Sequence, residues 1–175
     1  MIGGMMDKLE VIIKSYCEIM ILLEYGDEKA RDNVLYENLK IENIIPEHID
    51  SLLQKLKEIG VNYEKGKDYL IVNQTTSLKP TNIKTEGYPG FPTDLQQPIT
   101  ALLTQCDGMS SIEETIYENR FKNVEYLNKM GANIEIITDH KIKIQGPTNL
   151  TCSNVILPFT YLESRYFLFF SSDSF

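Results

Sequence analysis

The feature that most constrains the fold is an internal repeat. At an offset of 71 residues, stretches 41–60 and 112–131 share six identical positions, and both run in the order strand, helix, glycine, hairpin. A unit of this kind has one apolar helix face and one apolar sheet face, which it buries by stacking helices against sheets. The repeat therefore predicts an α/β (α+β) protein built from βαββ-type modules. The identical pairs are Ile41/Ile112, Glu42/Glu113, Ile45/Ile116, Glu47/Glu118, Leu56/Leu127 and Gly60/Gly131.

Each copy contains one clearly amphipathic helix. Pro46 suits a first helical turn, and Gly60 and Gly131 follow the last periodic residue of each copy as stop signals. The apolar residues at helical spacing are Ile49, Leu52, Leu53, Leu56 and Ile59 in the first copy, and Phe121, Val124, Leu127 and Met130 in the second.

After each glycine the apolar period changes from helical to alternating, which is typical of strands. Two short strands are predicted around the turn 65–68, and two more around 138–140. Strand-like segments also precede the helices, at 38–45 and 110–117.

These patterns divide the chain into four parts. Residues 38–108 form module one and 109–156 form an incomplete module two. Residues 1–37 are interpreted as a divergent or degraded N-terminal segment, because their apolar period is poor. Residues 157–175 are aromatic-rich, match neither repeat and are interpreted as a divergent tail.

Composition and charge exclude several classes of partner. Apolar residues make up 42% of the chain and charged residues 24%, as in ordinary soluble proteins. The formal net charge of −8 argues against a general nucleic-acid or anionic-membrane binder, which needs clustered Lys and Arg. The longest apolar runs, 19–23 and 166–170, are too short to span a bilayer. We expect neither a nucleic-acid nor a membrane partner, but local donors can still hold a small anion.

The cysteines and histidines predict neither a disulfide framework nor a metal site. Cys17, Cys106 and Cys152 are odd in number and widely spaced, which fits a reducing cytoplasm. Cys106 is interpreted as a small core filler rather than a nucleophile. His48 and His140 have no metal-ligand partner at helix or strand spacing, and the chain lacks phosphate-loop and dinucleotide motifs. We expect no metal and no cofactor.

Asp94 is the first candidate for chemistry. It follows the rigid stretch YPGFP (88–92) and precedes a helical run, with Gln97 three residues later. One interpretation is a helix N-cap in a capping box, and the other is a functional carboxylate placed by the preceding turns. The two interpretations are compatible.

Arg120 is the second candidate. It lies in the segment TIYENRF (115–121), at the predicted start of the second helix, where a cation opposes the helix dipole. A bound anion would explain it. The alternative is a surface arginine paired with Glu118 or Glu114.

Four stretches together carry a specific resemblance: YPGFPTDLQ (88–96), ALLTQCDG (101–108), ETIYENRF (114–121) and LNKMGANIEI (127–136). They resemble the UDP-N-acetylglucosamine 1-carboxyvinyltransferases, which are enolpyruvyl transferases of peptidoglycan synthesis. The similarity runs from about 38 to 150, with 9–12 as a possible earlier part of the same domain. It implies part of one inside-out α/β barrel domain made of βαβαββ modules.

The resemblance also implies an activity and site residues. The activity is enolpyruvyl transfer from phosphoenolpyruvate to the 3-hydroxyl of UDP-N-acetylglucosamine. Asp94 matches a base that contacts the sugar hydroxyl, Arg120 matches an arginine near phosphoenolpyruvate, and Ile116 matches a position whose backbone contacts the UDP-sugar. YPGFPTD and ENRF disfavour the related shikimate-pathway branch.

The chain departs from the family in three ways. The family's second domain, which bears the general acid, is not matched, and Cys106 stands where the family commonly has alanine. The substrate-binding phrases that the family carries after residue 12 and after residue 150 are replaced by IKSYCEI and NVILPFTYLESR. These edges are interpreted as out-of-frame or degraded. We therefore expect a fragment that is inactive without its partner domain, the alternative being a non-catalytic remnant or binding module.

Overall fold

A computed structural model describes residues 39–73, 75 and 77–150, so the predictions for 1–37 and 157–175 lie outside the described residues. Short 3₁₀ turns, Pro46–Ile49 and Thr93–Leu95, precede the first two helices. The helices and strands, in chain order, are β1 (Leu39–Glu42), α1 (Asp50–Ile59), β2 (Tyr63–Lys65), β3 (Tyr69–Val72), β4 (Asn82–Lys84), α2 (Gln96–Leu103), β5 (Gly108–Glu113), α3 (Asn123–Lys129), β6 (Asn133–Thr138) and β7 (Lys141–Gly146).

The strands form two sheets whose topology repeats. The first has the order β1-β3-β2 and the second β4-β5-β7-β6, with β4 and β5 parallel and the other pairs antiparallel. In each sheet the second strand of the hairpin, β3 or β7, pairs on one side with the first hairpin strand, β2 or β6. On its other side it pairs with the first strand of the repeat, β1 or β5. Ile41 lies opposite Leu70, and Ile112 opposite Ile142, which are equivalent positions of the two copies. The α/β class and the repeated unit are confirmed.

The first helix follows its sequence signals closely. Pro46 and Ile49 are buried in the leading 3₁₀ turn, and α1 ends at Ile59. Gly60 then adopts a left-handed conformation (φ 95°), and its N–H donates to the carbonyls of Leu56 and Lys57. This is a glycine C-cap, which satisfies carbonyls left free at the helix end. Both hairpin turns also lie where the alternation predicts them.

Two boundaries in the second copy were predicted wrongly, and both concern the same segment. The strand predicted to reach residue 117 ends at Glu113, and the helix begins at Asn123 rather than at about residue 118. Asn119 has a left-handed backbone (φ 55°), which is incompatible with a continuous helix there. Residues 114–122 therefore form a loop between β5 and α3.

Both sheets contribute to one buried core. The cluster includes Ile41 and Leu70 from the first sheet and Ile112 and Ile142 from the second. The predicted apolar positions of both helices are buried: Ile49, Leu52, Leu53, Leu56, Ile59, Phe121, Val124, Leu127 and Met130. Helix periodicity therefore identified the core faces correctly.

Strand β4 and helix α2 fall within the range predicted as module one, yet β4 pairs with β5 of the second sheet. Residues 82–146 then run β4-α2-β5-α3-β6-β7, which is a βαβαββ order. The division of the chain at 108/109 stays a prediction. The pairing matters because it brings the loop after β4 beside the loop after β5. None of the described helices is long and apolar enough to cross a membrane.

Replacing Gly60 by alanine is expected to lower the free energy of unfolding by about 1 kcal/mol, since a left-handed backbone is unfavourable for a residue with a Cβ. The added Cβ would lie 3.4 Å from the Ser77 carbonyl oxygen, so the cost comes from the backbone rather than from a clash. Urea denaturation measures it. Gly87→Ala is the control, because nothing lies within 4 Å of a Cβ there. Equal effects at both positions would contradict the capping role.

Cys106 is fully buried, and its thiol contacts the Leu102 carbonyl, so its interpretation as a core filler is confirmed. Burial raises the pKa of this thiol to about 12. We expect negligible alkylation of Cys106 in the folded chain at pH 8, where about 10⁻⁴ of the thiol is ionised, and rapid alkylation in urea. Peptide mass spectrometry separates Cys106 from the other two cysteines. Fast labelling without denaturant would contradict this account.

Candidate functional site

A closed loop leads from β4 to the turn that carries Asp94. Thr85 forms a parallel bridge with Phe91, and the Glu86 N–H donates to the Phe91 carbonyl at 2.9 Å. The Tyr88–Pro89 peptide within this loop is cis, and Tyr88 at its tip is exposed. Phe91 is buried and returns the chain to the core immediately before the 3₁₀ turn. The rigid placement inferred from YPGFP is thus a hydrogen-bonded loop with a buried anchor.

Asp94 does not cap helix α2, contrary to the capping-box interpretation. The N-cap position of α2 is Leu95, and no side chain caps it. Asp94 lies in the preceding 3₁₀ turn, one residue before that N-cap position. Its carboxylate Oδ1 instead accepts a hydrogen bond from Arg120 Nη2 at 3.0 Å.

Arg120 lies in the loop before α3, not at the helix start as predicted. Its ion-pair partner is Asp94 rather than either of the carboxylates considered from sequence, Glu118 or Glu114. The guanidinium also lies over the Tyr117 ring, 5.1 Å from its centroid, within the range of a cation–π contact. Asp94 and Arg120 are 26 positions apart in sequence, and the fold places them in contact.

Between the two loops lies a buried carboxylate, that of Glu114, which directly follows β5. Its Oε1 accepts hydrogen bonds from the Thr85 hydroxyl (2.9 Å) and from the backbone N–H groups of Ile116 (2.9 Å) and Tyr117 (3.2 Å). Its Oε2 accepts from the Thr93 hydroxyl at 2.7 Å. We call these residues the Glu114 clamp: Thr85, Thr93, Glu114, Ile116 and Tyr117.

Burial alone would raise the pKa of the Glu114 carboxyl. The hydrogen bonds from Thr93, Ile116, Thr85 and Tyr117 outweigh that effect and lower the pKa below its ordinary value. A carboxylate that accepts several hydrogen bonds is stabilised in its ionised form in this way. Glu114 is therefore a buried anion at neutral pH.

Further bonds join the backbone of the clamp to its neighbours. The Thr115 N–H donates to the Thr85 hydroxyl at 2.9 Å, and the Glu114 N–H donates to the His140 carbonyl at 2.8 Å. The His140 ring lies with Nδ1 2.9 Å from the Glu114 carbonyl, to which it donates. The β6–β7 turn thereby supports the loop that follows β5.

Ile116, the third residue implied by the resemblance, lies in this same loop. Ile116 is exposed, and its backbone N–H donates a hydrogen bond to the Glu114 carboxylate. A role of Ile116 in substrate contact stays a prediction.

Sequence reasoning missed Glu114 as a site residue and considered it only as a possible partner of Arg120. The strand alternation carried a usable signal, because Ser110, Ile112 and Glu114 occupy alternate positions and all three are fully buried. A glutamate on the buried face of a strand needs hydrogen-bond donors. Its donors come from residues up to 29 positions away, which no local pattern indicates.

In this site the buried Glu114 carboxylate bonds to both loops, and a half-exposed carboxylate, that of Asp94, contacts a guanidinium that lies over the Tyr117 ring. A carboxylate of this kind can accept a proton from a hydroxyl, and a guanidinium can bind a carboxylate or phosphate. Within the described residues, no group of three or more His, Cys, Asp or Glu side chains could hold a metal ion.

Comparison with known proteins gives consistent matches. A family model described as EPSP synthase (3-phosphoshikimate 1-carboxyvinyltransferase) matches residues 33–156. The chain is 48% identical over 111 residues to UDP-N-acetylglucosamine 1-carboxyvinyltransferase 2 of Geobacillus kaustophilus, covering 61% of this chain and 26% of that protein. It is 48% identical over 134 residues to the Bacillus subtilis protein of the same name, covering 76% and 31%. The chain thus spans about a quarter to a third of the curated relatives it matches.

Among solved structures, the chain resembles the enolpyruvyl transferase NikO from Streptomyces tendae, with a TM-score of 0.65 and 20% identity. The match covers 79% of this chain and 30% of that one. At this identity the similarity supports the fold, and it agrees with the repeated modules described above.

Proposed function

The chain belongs to the EPSP synthase family of carboxyvinyl transferases, and on this premise we propose that it forms part of the site that transfers enolpyruvyl from phosphoenolpyruvate to UDP-N-acetylglucosamine. The acceptor is taken from the names of its relatives, which are 48% identical to it. Because the chain matches only part of each relative, the remaining polypeptide would supply the rest of the site.

The observation that carries the proposal is the contact between Asp94 and Arg120 at 3.0 Å. The two residues come from separate stretches that resemble the family, and nothing in their sequence spacing requires them to meet. Asp94 is half-exposed and Arg120 less so, which leaves the carboxylate within reach of a ligand.

The proposed chemistry is an addition followed by an elimination. Asp94 accepts the proton of the sugar 3-hydroxyl while the hydroxyl oxygen forms a bond to C2 of phosphoenolpyruvate. At the same time a general acid outside this chain protonates C3. Loss of a proton from C3 and of phosphate from C2 then restores the double bond. Arg120 would bind the negative charge of phosphoenolpyruvate, since a guanidinium pairs well with carboxylate and phosphate. The site as proposed needs no metal or cofactor.

We extend the proposal to the cellular role that this reaction has in peptidoglycan synthesis, and hence to cell shape and division. A cytoplasmic location follows from nucleotide-sugar chemistry and accords with the buried free thiol of Cys106. The partners would be the two substrates and the polypeptide that carries the general acid.

A second acceptor is worth testing because the description of the matching family model names 3-phosphoshikimate. Shikimate 3-phosphate carries a hydroxyl that could react at the same site. The relatives' names favour the UDP-sugar instead.

Reconstitution tests the proposal. The chain is mixed with a polypeptide that supplies the part of the Bacillus subtilis relative that this chain does not match, and phosphate release from phosphoenolpyruvate is followed with each acceptor in turn. In parallel, residues 39–150 replace the corresponding stretch of that relative, so that an active chimera does not depend on assembly in trans.

We expect phosphate release with UDP-N-acetylglucosamine, dependent on both polypeptides, and an active chimera. Phosphate release with shikimate 3-phosphate but not with UDP-N-acetylglucosamine would identify shikimate 3-phosphate as the acceptor. A folded chimera without activity towards either acceptor would contradict the proposed function and support the non-catalytic alternative. Release by the chain alone would show that the missing portion is not needed.

A further inference from the structure

The Glu114 carboxylate accepts four hydrogen bonds, and its donors come from two different loops. Thr85 and Thr93 belong to the connection between β4 and α2, whereas Ile116 and Tyr117 belong to the connection between β5 and α3. Oε1 accepts three of these hydrogen bonds, from Thr85, Ile116 and Tyr117, and Oε2 accepts one, from Thr93. One buried anion thus joins both loops.

Each side of the clamp ends next to a member of the reactive pair. Thr93 directly precedes Asp94, and the Tyr117 ring supports the Arg120 guanidinium. The carboxylate itself is fully buried, whereas Asp94 is half-exposed. Glu114 therefore lies behind the pair, out of reach of a substrate.

We propose that Glu114 is the positioning residue of this site, whose buried carboxylate fixes Asp94 and Arg120 in their mutual geometry by holding both loops. The expected effect of Glu114 on kcat rests on the proposed function, whereas its expected effect on the geometry of Asp94 and Arg120 does not. Reacting groups must be held closely, and a displacement of about 1 Å costs on the order of 100-fold in rate.

Three substitutions distinguish positioning from proton transfer. In Glu114→Gln the amide oxygen can replace Oε1, and the amide NH₂ can donate to Thr93 once that hydroxyl rotates to accept. The clamp geometry is then retained without the charge. Glu114→Asp keeps the charge but is one methylene too short to reach both loops, and Glu114→Ala leaves all four donors without their acceptor.

The geometric test uses the 175-residue chain alone. NMR records the guanidinium signals of Arg120, assigned with Arg120→Lys, which are displaced by the Tyr117 ring and slowed in rotation by Asp94. We expect these features to persist in Glu114→Gln and to be lost in Glu114→Asp and Glu114→Ala. Glu113→Gln, which changes a half-exposed carboxylate one residue away, is the matched control and should leave them unchanged.

The kinetic test uses the same chain reconstituted with the remaining polypeptide. We expect kcat to fall at least about 100-fold in Glu114→Asp and Glu114→Ala, and less than about 5-fold in Glu114→Gln. Leu56→Ala in α1 controls for lost stability, because α1 contributes no residue to the clamp and the substitution should lower Tm without lowering kcat in the folded protein.

The outcomes separate the two proposals. If the wild-type chain and the added polypeptide are inactive together but the NMR pattern is as expected, the proposed function is wrong and the positioning role of Glu114 is supported. Arg120 signals that are unchanged in Glu114→Ala would overturn the clamp. A Glu114→Gln variant as slow as Glu114→Ala, with Glu114→Asp active, would also overturn it by assigning proton transfer to Glu114.

Discussion

Replacing Asp94 by alanine is expected to abolish turnover in the reconstituted enzyme, lowering kcat at least about 100-fold. A positioned general base contributes roughly 10²–10⁴-fold to a rate, and the hydroxyl of the acceptor sugar would lose its proton acceptor. Asp94→Asn should behave alike, since the amide keeps the shape of the side chain but cannot take the proton. Initial rates of phosphate release at saturating substrate measure the loss.

The fold of these variants should be intact, because an exposed ion pair such as Asp94–Arg120 contributes only about 0–1 kcal/mol. Asp107→Asn is the matched control: this exposed aspartate lies just before β5, whereas Glu114 follows the other end of the strand. It should leave kcat unchanged. Undiminished turnover in Asp94→Asn would remove Asp94 from the mechanism and leave it as a partner of Arg120.

Replacing Glu114 by alanine is expected to cost about 3–4 kcal/mol of unfolding free energy. It leaves four donors beside the space that the carboxylate filled, and each buried donor without a partner costs about 1–3 kcal/mol. The total is less than the sum, because the Thr85 and Thr93 hydroxyls can rotate towards other acceptors. Since a domain of this size has a net stability of about 5–15 kcal/mol, the variant is near the limit of folding. Urea denaturation followed by circular dichroism measures the change.

Glu114→Gln tests the stability contributed by the same carboxylate, in a variant that is expected to fold. The pKa of Glu114 is lowered in the folded chain from an ordinary value of 4.5, so between the two pKa values the unfolded chain binds more protons. Its ionised form therefore contributes stability in full above about pH 4.5, and that contribution is lost as the pH falls through the folded pKa.

The wild type should accordingly be about 1–2 kcal/mol more stable than Glu114→Gln at pH 6, where charge-assisted bonds exceed neutral ones, and lose this advantage as the pH falls through the lowered pKa of the folded chain. Glu113→Gln should differ from the wild type by less than about 0.5 kcal/mol at pH 6. A difference between wild type and Glu114→Gln that grows on acidification would contradict the assignment.

Periodicity determined how much of the fold could be predicted. Burial of helix faces depends on spacing within one segment, so Leu56, Leu127 and their neighbours were identified without knowledge of the packing. The repeat predicted the common strand–helix–hairpin order but no strand pairing; in the structure Ile41 and Ile112 occupy equivalent strand positions in the two sheets. Both hairpin turns follow from local turn chemistry in the same way.

The site was predictable only residue by residue. Asp94 and Arg120 were identified, but local rules assigned each a local partner, a helix N-terminus in one case and a neighbouring glutamate in the other. The structure pairs them with each other because β4 and β5 run parallel, so that the loops after both strands lie at one edge of the sheet. The left-handed backbone of Asn119 is incompatible with a helix through residues 114–122. The sequence of this segment is also compatible with a helix, which is why its loop conformation was not predicted.

The sheet order also dictates when the site can be completed during synthesis. β7 pairs with β5 along its whole length, and the Glu114 N–H is bonded to the His140 carbonyl, so the loop that holds Arg120 depends on the hairpin that follows it. Roughly fifty residues separate Asp94 from the end of β7, which at about 5–20 residues per second is some 3–10 s of translation. Late in that interval, once β5 has been made, a ribosome-bound chain presents Asp94 on an unfinished sheet whose β5 has only β4 as a neighbour. The loop that carries Arg120 gains the hydrogen bond from the Glu114 N–H to the His140 carbonyl only after His140 has been made, so this loop acquires its native contacts late in the synthesis of the module.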